Sequence, residues 1–102
     1  MTEIFIVCTI NEVEIEFDAT KDANNQRKHG VSLSRAEEID WDHINAALDN
    51  RRVYSEDRYI AAAPIDGRLH VVVFTIRATV MRIISLRRAN KREVRRYEAA
   101  QS

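Results

Sequence analysis

Residues that break or cross-link a chain are scarce: there are one Cys, one Pro and two Gly among 102 residues. A single cysteine excludes an internal disulfide and a cysteine-based zinc site, which favours a reducing compartment, and we expect the cytoplasm. The scarcity of proline and glycine excludes a collagen-like or linker-rich chain. No apolar run is longer than five residues: IFIVC spans residues 4–8, YIAAA 59–63 and VVVF 71–74. All are far shorter than the roughly 20 residues that span a bilayer, so no membrane partner is expected.

The composition is that of a small folded domain. Hydrophobic residues make up 45% and charged residues 31%, which is not typical of a disordered chain. The length predicts one domain over residues 1–102. A chain of this size buries roughly two thirds of its unfolded surface, enough for an independent core.

Charge is balanced in total but not along the chain. Lys plus Arg and Asp plus Glu number 16 each, yet residues 1–50 have a net charge of −7 and residues 75–102 one of +6. The bases are 13 Arg and only 3 Lys. Arginine forms bidentate contacts with phosphate and stacks on bases, so the bias favours a polyanionic or acidic partner, although a run of charge is also simply a solvated face.

Helix signals dominate the first half of the chain. Asp18 is placed to accept the free N–H groups of a first helical turn, and Gly30 to end that helix. Ser34 and Glu37 fit a capping box, which predicts a second short helix. The predicted elements of this half are strands over residues 4–7, 12–17 and 44–48, a helix over 19–29 and a helix from residue 34. For 44–48 the alternative is a helix extended through Ala46-Ala47.

Strand signals dominate the second half. Asp66-Gly67 is a strong turn pair between two apolar runs, and Pro64 is expected to end the strand before it. Asn90 and Glu93 fit a capping box for a last helix. The predicted elements are a loop over residues 51–57, strands over 58–63, 69–76 and 81–86, a turn at 78–79 and a helix over 91–100. Short connections favour an antiparallel meander, and helices on both sides of the strands make the fold class α+β.

Several segments form a recognisable set: FD at 17–18, RKHGVS at 27–32, Tyr54-x-Glu56-x-Arg58-Tyr59-Ile60, GRLHVVVFTIR at 67–77, RIISLRRANKRE at 82–93 and RRYE at 95–98. In this order they resemble the BrnT family of bacterial ribonuclease toxins from type II toxin–antitoxin modules. The resemblance implies a RelE-like single domain, with an antiparallel sheet, two N-terminal helices and one C-terminal helix. It also implies cleavage of RNA, with loss of translation, that uses no metal and no other cofactor. Residues 1–12 precede the usual start of the family and are either an added edge strand or an upstream translated stretch.

The resemblance also implies a partner. Members of the family bind an antitoxin, typically a BrnA-like ribbon-helix-helix protein, in a heterotetramer that represses its own operon. Contact with DNA is then indirect, through the antitoxin.

Metal-free RNA cleavage uses the 2′-OH of the substrate as nucleophile. It needs a proton acceptor, a proton donor for the leaving 5′-oxygen, and cations for the phosphorane charge. Thr75 and Arg77 lie on one side of a predicted strand, and Arg82 follows the turn. Two arginines at joined strand ends predict a convergent positive site, whereas a solvent-facing arginine at a strand end is the structural alternative.

Each of the other catalytic candidates also has an interpretation in which the residue has only a structural role. Glu56 and Arg58 are at strand spacing, which suits a base and a phosphate clamp but equally a surface ion pair. His29 suits an acid or a base, or a cation at a helix C-terminus. Lys28 suits a phosphate ligand or an acid, or a solvated helix residue. Which of them is the acid or the base stays open.

A basic tail completes the candidates, and its ligand stays open between RNA and an acidic antitoxin. It comprises Arg87, Arg88, Lys91, Arg92 and Arg95, with Arg96 beside them. A non-catalytic module that only holds a DNA-binding partner is the main alternative function. A generic nucleic-acid-binding domain is less favoured, since a net charge of zero gives little free-standing affinity for nucleic acid. Trp41 and Tyr59 are expected in the core rather than as base-stacking residues.

Overall fold

The computed structural model describes residues 5–10, 13–51 and 56–101. Its elements are β1 (Phe5–Ile10), β2 (Val13–Asp18), α1 (Ala19–His29), 3-10 helices at Leu33–Glu38 and Trp41–His43, β3 (Ala46–Leu48), β4 (Tyr59–Ile65), β5 (Arg68–Arg77), β6 (Val80–Arg88) and α2 (Lys91–Gln101). The described strands form one sheet in the order β1-β2-β6-β5-β4-β3. The predicted α+β class is confirmed. No helix in the described ranges is long and apolar enough to cross a membrane.

The sheet is mostly antiparallel, but one pair of neighbours is parallel. β2 runs parallel to β6, with Glu14 opposite Val80 and Glu16 opposite Arg82. The predicted antiparallel meander is therefore wrong at this point. The hairpin of β1 and β2 docks beside the last strand of the chain, and β1 is an edge strand. A pairing between strands more than 60 residues apart leaves no local signal in the sequence.

The expected second N-terminal helix is a 3-10 helix, not an α-helix. Ser32 rather than Ser34 is its cap, because the Ser32 hydroxyl accepts the Ser34 N–H at 3.2 Å. Asp22 of α1 holds the same segment: its Oδ1 accepts the Leu33 N–H at 2.8 Å and the Ser32 hydroxyl at 3.0 Å. The chain is thus pinned by a side chain ten residues earlier, which a capping-box pattern does not contain.

The strand before the Asp-Gly turn continues through Pro64 to Ile65, so the predicted end at Pro64 is wrong. β3 pairs with β4 only from Tyr59 to Ala61. Beyond that point β4 is an edge strand, where a residue without an N–H costs little. The turn itself is confirmed: Asp66 and Gly67 have φ of 51° and 76°, the positive values of a tight hairpin turn.

The core lies on one face of the sheet. Phe74 and Val72 of β5 and Ile83 and Leu86 of β6 are almost fully buried there. The covering layer comprises Val31, Leu33, Ala36 and Ile39, with Trp41 and Tyr59 partly buried against them. Both aromatic rings contact Phe74, Trp41 edge-on at 5.1 Å and Tyr59 stacked at 5.7 Å, which confirms their predicted packing. Because side chains alternate along a strand, the neighbours of these core residues on β5 and β6 lie on the opposite face.

Candidate active site on the arginine-bearing face

The face opposite the core carries the predicted arginines. In the ladder between β5 and β6, Thr75 pairs with Arg82, and Arg77 pairs with Val80 across the Ala78-Thr79 turn. Ala78 has a φ of 55°, which confirms the tight reversal predicted there. The turn therefore sets Arg77 and Arg82 on one face at one end of the sheet, as the strand periodicity predicted.

Glu56 joins this end of the sheet through Arg77. Arg77 Nε and Nη2 donate to the two carboxylate oxygens of Glu56 at 3.1 and 2.9 Å. The pair is open to solvent, with side chains 50% and 38% exposed. Such an exposed ion pair contributes little to stability, so its partners are able to exchange.

Three arginines act on the Glu56 carboxylate. The hydrogen bonds from Arg77 lower its pKa most, partial burial opposes them, and the positive charges of Arg77, Arg82 and Arg58 lower the pKa further. The structure thus brings Glu56, Arg58, Arg77 and Arg82 into one cluster, called the arginine cluster below. These interactions stabilise the ionised form of Glu56.

Arg82 has a second acidic neighbour. Its Nε donates to Glu16 Oε1 at 2.8 Å, in register across the parallel pair of β2 and β6. Both side chains are largely covered, at 20% and 17% exposure. Glu16 therefore holds the Nε end of the Arg82 guanidinium in place. Sequence reasoning missed Glu16 because the two residues meet only through the parallel pairing.

Lys28 and His29 reach the same face from α1. They lie in the last turn of that helix and line a cleft of about 310 Å³ together with Arg58 and, from β6, Ser85. Arg58 therefore borders both this cleft and the arginine cluster. Arg58 thus connects Lys28 and His29 with Glu56, Arg77 and Arg82. Tyr54, part of the resembling segments, lies outside the described residues.

A buried amide holds α1 at this position. Asn25 donates from Nδ2 to the carbonyls of Leu86 and Val31, at 2.7 and 2.8 Å, and its Oδ1 accepts the Leu86 N–H at 3.2 Å. It satisfies both backbone groups of Leu86, as a neighbouring strand would, where β2 no longer accompanies β6. Sequence reasoning missed Asn25, since no periodic pattern distinguishes it from the exposed Asn24.

The basic tail divides into one anchored residue and several exposed ones. Arg87 Nη1 and Nη2 donate to the carboxylate oxygens of Glu93, each at 2.8 Å. Glu93 also accepts the Asn90 N–H at 2.9 Å while its own N–H donates to Asn90 Oδ1 at 2.8 Å, so the predicted capping box is confirmed. The hydrogen bonds from Arg87 above all, and that from Asn90, lower the pKa of Glu93 to about 2. The exposed members are Arg88, Lys91, Arg92 and Arg95.

The arrangement suits an anionic ligand. The acidic side chains near the cluster are bonded to arginine, Glu56 to Arg77 and Glu16 to Arg82. Across residues 5–10, 13–51 and 56–101, no three His, Cys, Asp or Glu side chains gather as a metal site would require. Convergent guanidinium groups beside a carboxylate, a lysine and a histidine provide both phosphate ligands and proton-transfer groups.

These features define a small α+β domain with an arginine-bearing face, and comparison with known families narrows the class of protein. A family model described as the ribonuclease toxin, BrnT, of type II toxin–antitoxin systems matches residues 17–93. The chain belongs to this family, as the resemblance of its motifs predicted. All six catalytic candidates lie inside the matched range, whereas Glu16 and Arg95 lie just outside it. Membership implies an RNA substrate and a cognate antitoxin. Among curated proteins no match is found.

Proposed function

We propose that this chain is a metal-independent endoribonuclease that cuts RNA, inhibits translation and has the RelE-like architecture. The supporting observation is the position of Arg58, which borders both the Lys28–His29 cleft and the arginine cluster. A phosphodiester held by Arg58 would have the Lys28–His29 cleft on one side and the arginine cluster on the other. The 2′-oxygen attacks phosphorus, the bond to the 5′-oxygen breaks, and a 2′,3′-cyclic phosphate forms.

The cations have the clearest role in this proposal. Arg58, Arg77 and Arg82 neutralise the charge that develops on the phosphorane oxygens. Arg77 reaches the phosphate by exchanging its carboxylate partner, which is open to solvent, for a phosphate oxygen. Release of Arg77 also leaves Glu56 ionised and able to accept the proton of the 2′-OH.

The leaving 5′-oxygen needs a proton from the other side of the site. His29 and Lys28 are the donors available on α1, and both are exposed in the cleft. One of them protonates the leaving group while the other holds the phosphate. Removal of a general acid or base costs about 10²- to 10⁴-fold in rate.

RNA cleavage in EDTA by an Arg77→Ala/Arg82→Ala variant tests the proposal. We expect the wild type to cleave a short RNA in EDTA and the double variant to be slower by at least about 10³-fold, since loss of one charge-stabilising donor costs about 10²–10³. Arg35→Ala/Arg68→Ala is the matched control, because it removes the same charge away from the β5–β6 turn. Equal cleavage by both double variants, or none by the wild type, contradicts the assigned site.

We further propose that a ribbon-helix-helix, BrnA-like antitoxin neutralises the toxin in a heterotetramer that contacts DNA only through the antitoxin. The exposed bases of α2 support an acidic docking partner. Co-expression with a candidate ribbon-helix-helix antitoxin, followed by size-exclusion chromatography, tests the assembly. Stable antitoxin binding with normal growth and no cleavage would instead support the non-catalytic module.

A further inference from the structure

A buried hydroxyl lies within the arginine cluster. Thr75 is only 1% exposed, and its Oγ1 has no hydrogen-bond partner among the described residues. It lies on the arginine-bearing face, because its ladder neighbour is Arg82 and Arg77 follows two residues later. The hydroxyl is therefore a buried polar atom without a partner in the described part of the chain, on the face that carries Arg77 and Arg82.

The opposite side of β5 completes the surroundings of this hydroxyl. Tyr59 pairs with Phe74 at the end of the β4–β5 ladder, and Arg58 directly precedes Tyr59. Arg58 therefore lies beside the part of β5 that holds Thr75, and Arg82 pairs with Thr75 from the other side. Thr75 thus lies between the strands that carry these two arginines, and Arg77 follows two residues later on β5.

Stability alone does not account for a threonine at this position. Valine has nearly the same shape and is accepted three times in the same strand, at residues 71–73. A buried hydroxyl without a partner destabilises the folded state relative to such an apolar isostere. Natural sequences break local rules of this kind mainly at functional sites.

We propose that Thr75 is a substrate-binding residue, whose hydroxyl donates a hydrogen bond to a non-bridging oxygen of the RNA phosphate that Arg58, Arg77 and Arg82 hold. The inference rests on the proposed ribonuclease function and adds a neutral donor to its cationic ligands. The hydroxyl is covered in the free protein. The flexible guanidinium side chains must therefore turn toward the incoming phosphate before the hydroxyl contacts it.

The test compares Thr75→Val, which removes the hydroxyl, with Thr75→Ser, which keeps it. Three quantities are measured: the Tm of the free protein, the rise in Tm caused by an oligonucleotide with 2′-deoxyribose that cannot be cleaved, and kcat/KM on RNA in EDTA. Thr79→Val is the matched control, since it removes an exposed hydroxyl from the adjoining turn.

We expect Thr75→Val to have a Tm equal to or above that of the wild type, a smaller oligonucleotide-induced rise in Tm, and a kcat/KM lower by about 10- to 100-fold, as for loss of a hydrogen bond to a charged group. Thr75→Ser should stay within about threefold of the wild type, and Thr79→Val should match it. A lower Tm in Thr75→Val with unchanged kcat/KM would overturn the inference and leave the ribonuclease proposal intact. A wild type that cleaves no RNA overturns the ribonuclease proposal, and the oligonucleotide-induced rise in Tm then decides the phosphate contact by itself. A rise that occurs in the wild type and is lost in Thr75→Val supports the contact. A rise that Thr75→Val retains, or that the wild type does not show, overturns it.

Discussion

Two ion pairs of the same chemistry have different surroundings at the two ends of β6. Arg77–Glu56 and Arg87–Glu93 are both bidentate, with donor–acceptor distances between 2.8 and 3.1 Å. Glu93 has a further partner, the Asn90 N–H, and its pair is less exposed, at 33% and 23% against 50% and 38%. The extra contact makes the second pair an anchor for α2, while the first remains exchangeable.

The neighbouring charges extend this contrast. The positive charges of Arg58 and Arg82, as well as that of its partner Arg77, lower the pKa of Glu56. Glu93 is held chiefly by Arg87 and the start of α2. Under the proposed function, the same pair of residue types binds a ligand at one end of β6 and holds the structure together at the other.

The largest expected effect is loss of activity without loss of stability in Arg77→Ala. Removal of one charge-stabilising donor should lower kcat/KM by about 10²–10³, whereas loss of an exposed ion pair should change the free energy of unfolding by less than about 1 kcal/mol. Single-turnover cleavage and urea denaturation measure the two quantities. If the variant unfolds more easily but cleaves normally, the Arg77–Glu56 pair has a structural role, like the Arg87–Glu93 pair.

The pH dependence of kcat/KM sharpens the role of Glu56. A general base works only when deprotonated, and Arg77 lowers the pKa of Glu56 below its usual 4.5. Activity should therefore persist as the pH falls to that value and decline below it. In Arg77→Ala the decline should begin at a higher pH, and in Glu56→Gln it should be absent. An acidic decline that remains unchanged in Glu56→Gln would contradict the role of Glu56 as the base.

What the sequence predicts well is local. Asp18 caps α1 through the Thr20 N–H at 3.0 Å and Gly30 ends it with a φ of 70°, so this helix was predicted to the residue. The convergence of Arg77 and Arg82 was also predictable, because a two-residue turn fixes which side chains share a face.

What the sequence does not predict depends on distant segments meeting. Glu16 and Arg82 are 66 residues apart, and Asn25 and Leu86 are 61 apart. Their contacts follow from the parallel docking of β2 beside β6, which no periodicity encodes. The ion pair of Glu56 was likewise not predictable. Its partner is Arg77, 21 residues later in the chain, rather than Arg58, which is two residues away.

A smaller effect, on stability, is expected where Glu93 is replaced. Glu93→Ala should lower the free energy of unfolding by about 1–3 kcal/mol, through loss of a cap and of charge-assisted hydrogen bonds. Glu93→Gln keeps the capping box and should lose roughly half as much. Because the folded-state pKa is lowered to about 2, this stabilisation is complete above the usual pKa near 4.5 and disappears as the pH falls toward 2. Urea denaturation of the wild type and both variants at pH 7 and pH 3 measures these losses of unfolding free energy. An equal loss at the two pH values would contradict the expected pH dependence.

The smallest effect concerns the exposed bases of α2, and it decides between their two candidate ligands. If Arg92 and Arg95 contact RNA phosphates, each substitution to Ala should reduce the slope of log Kd against log salt by about 1. A non-cleavable oligonucleotide titrated between low and high salt gives that slope. Arg35→Ala is the control, since it removes one positive charge elsewhere. Unchanged slopes, together with weaker antitoxin binding, would assign α2 to the antitoxin. RNA recognition would then be confined to the arginine cluster, and the two ends of β6 would differ in ligand as well as in the strength of their ion pairs.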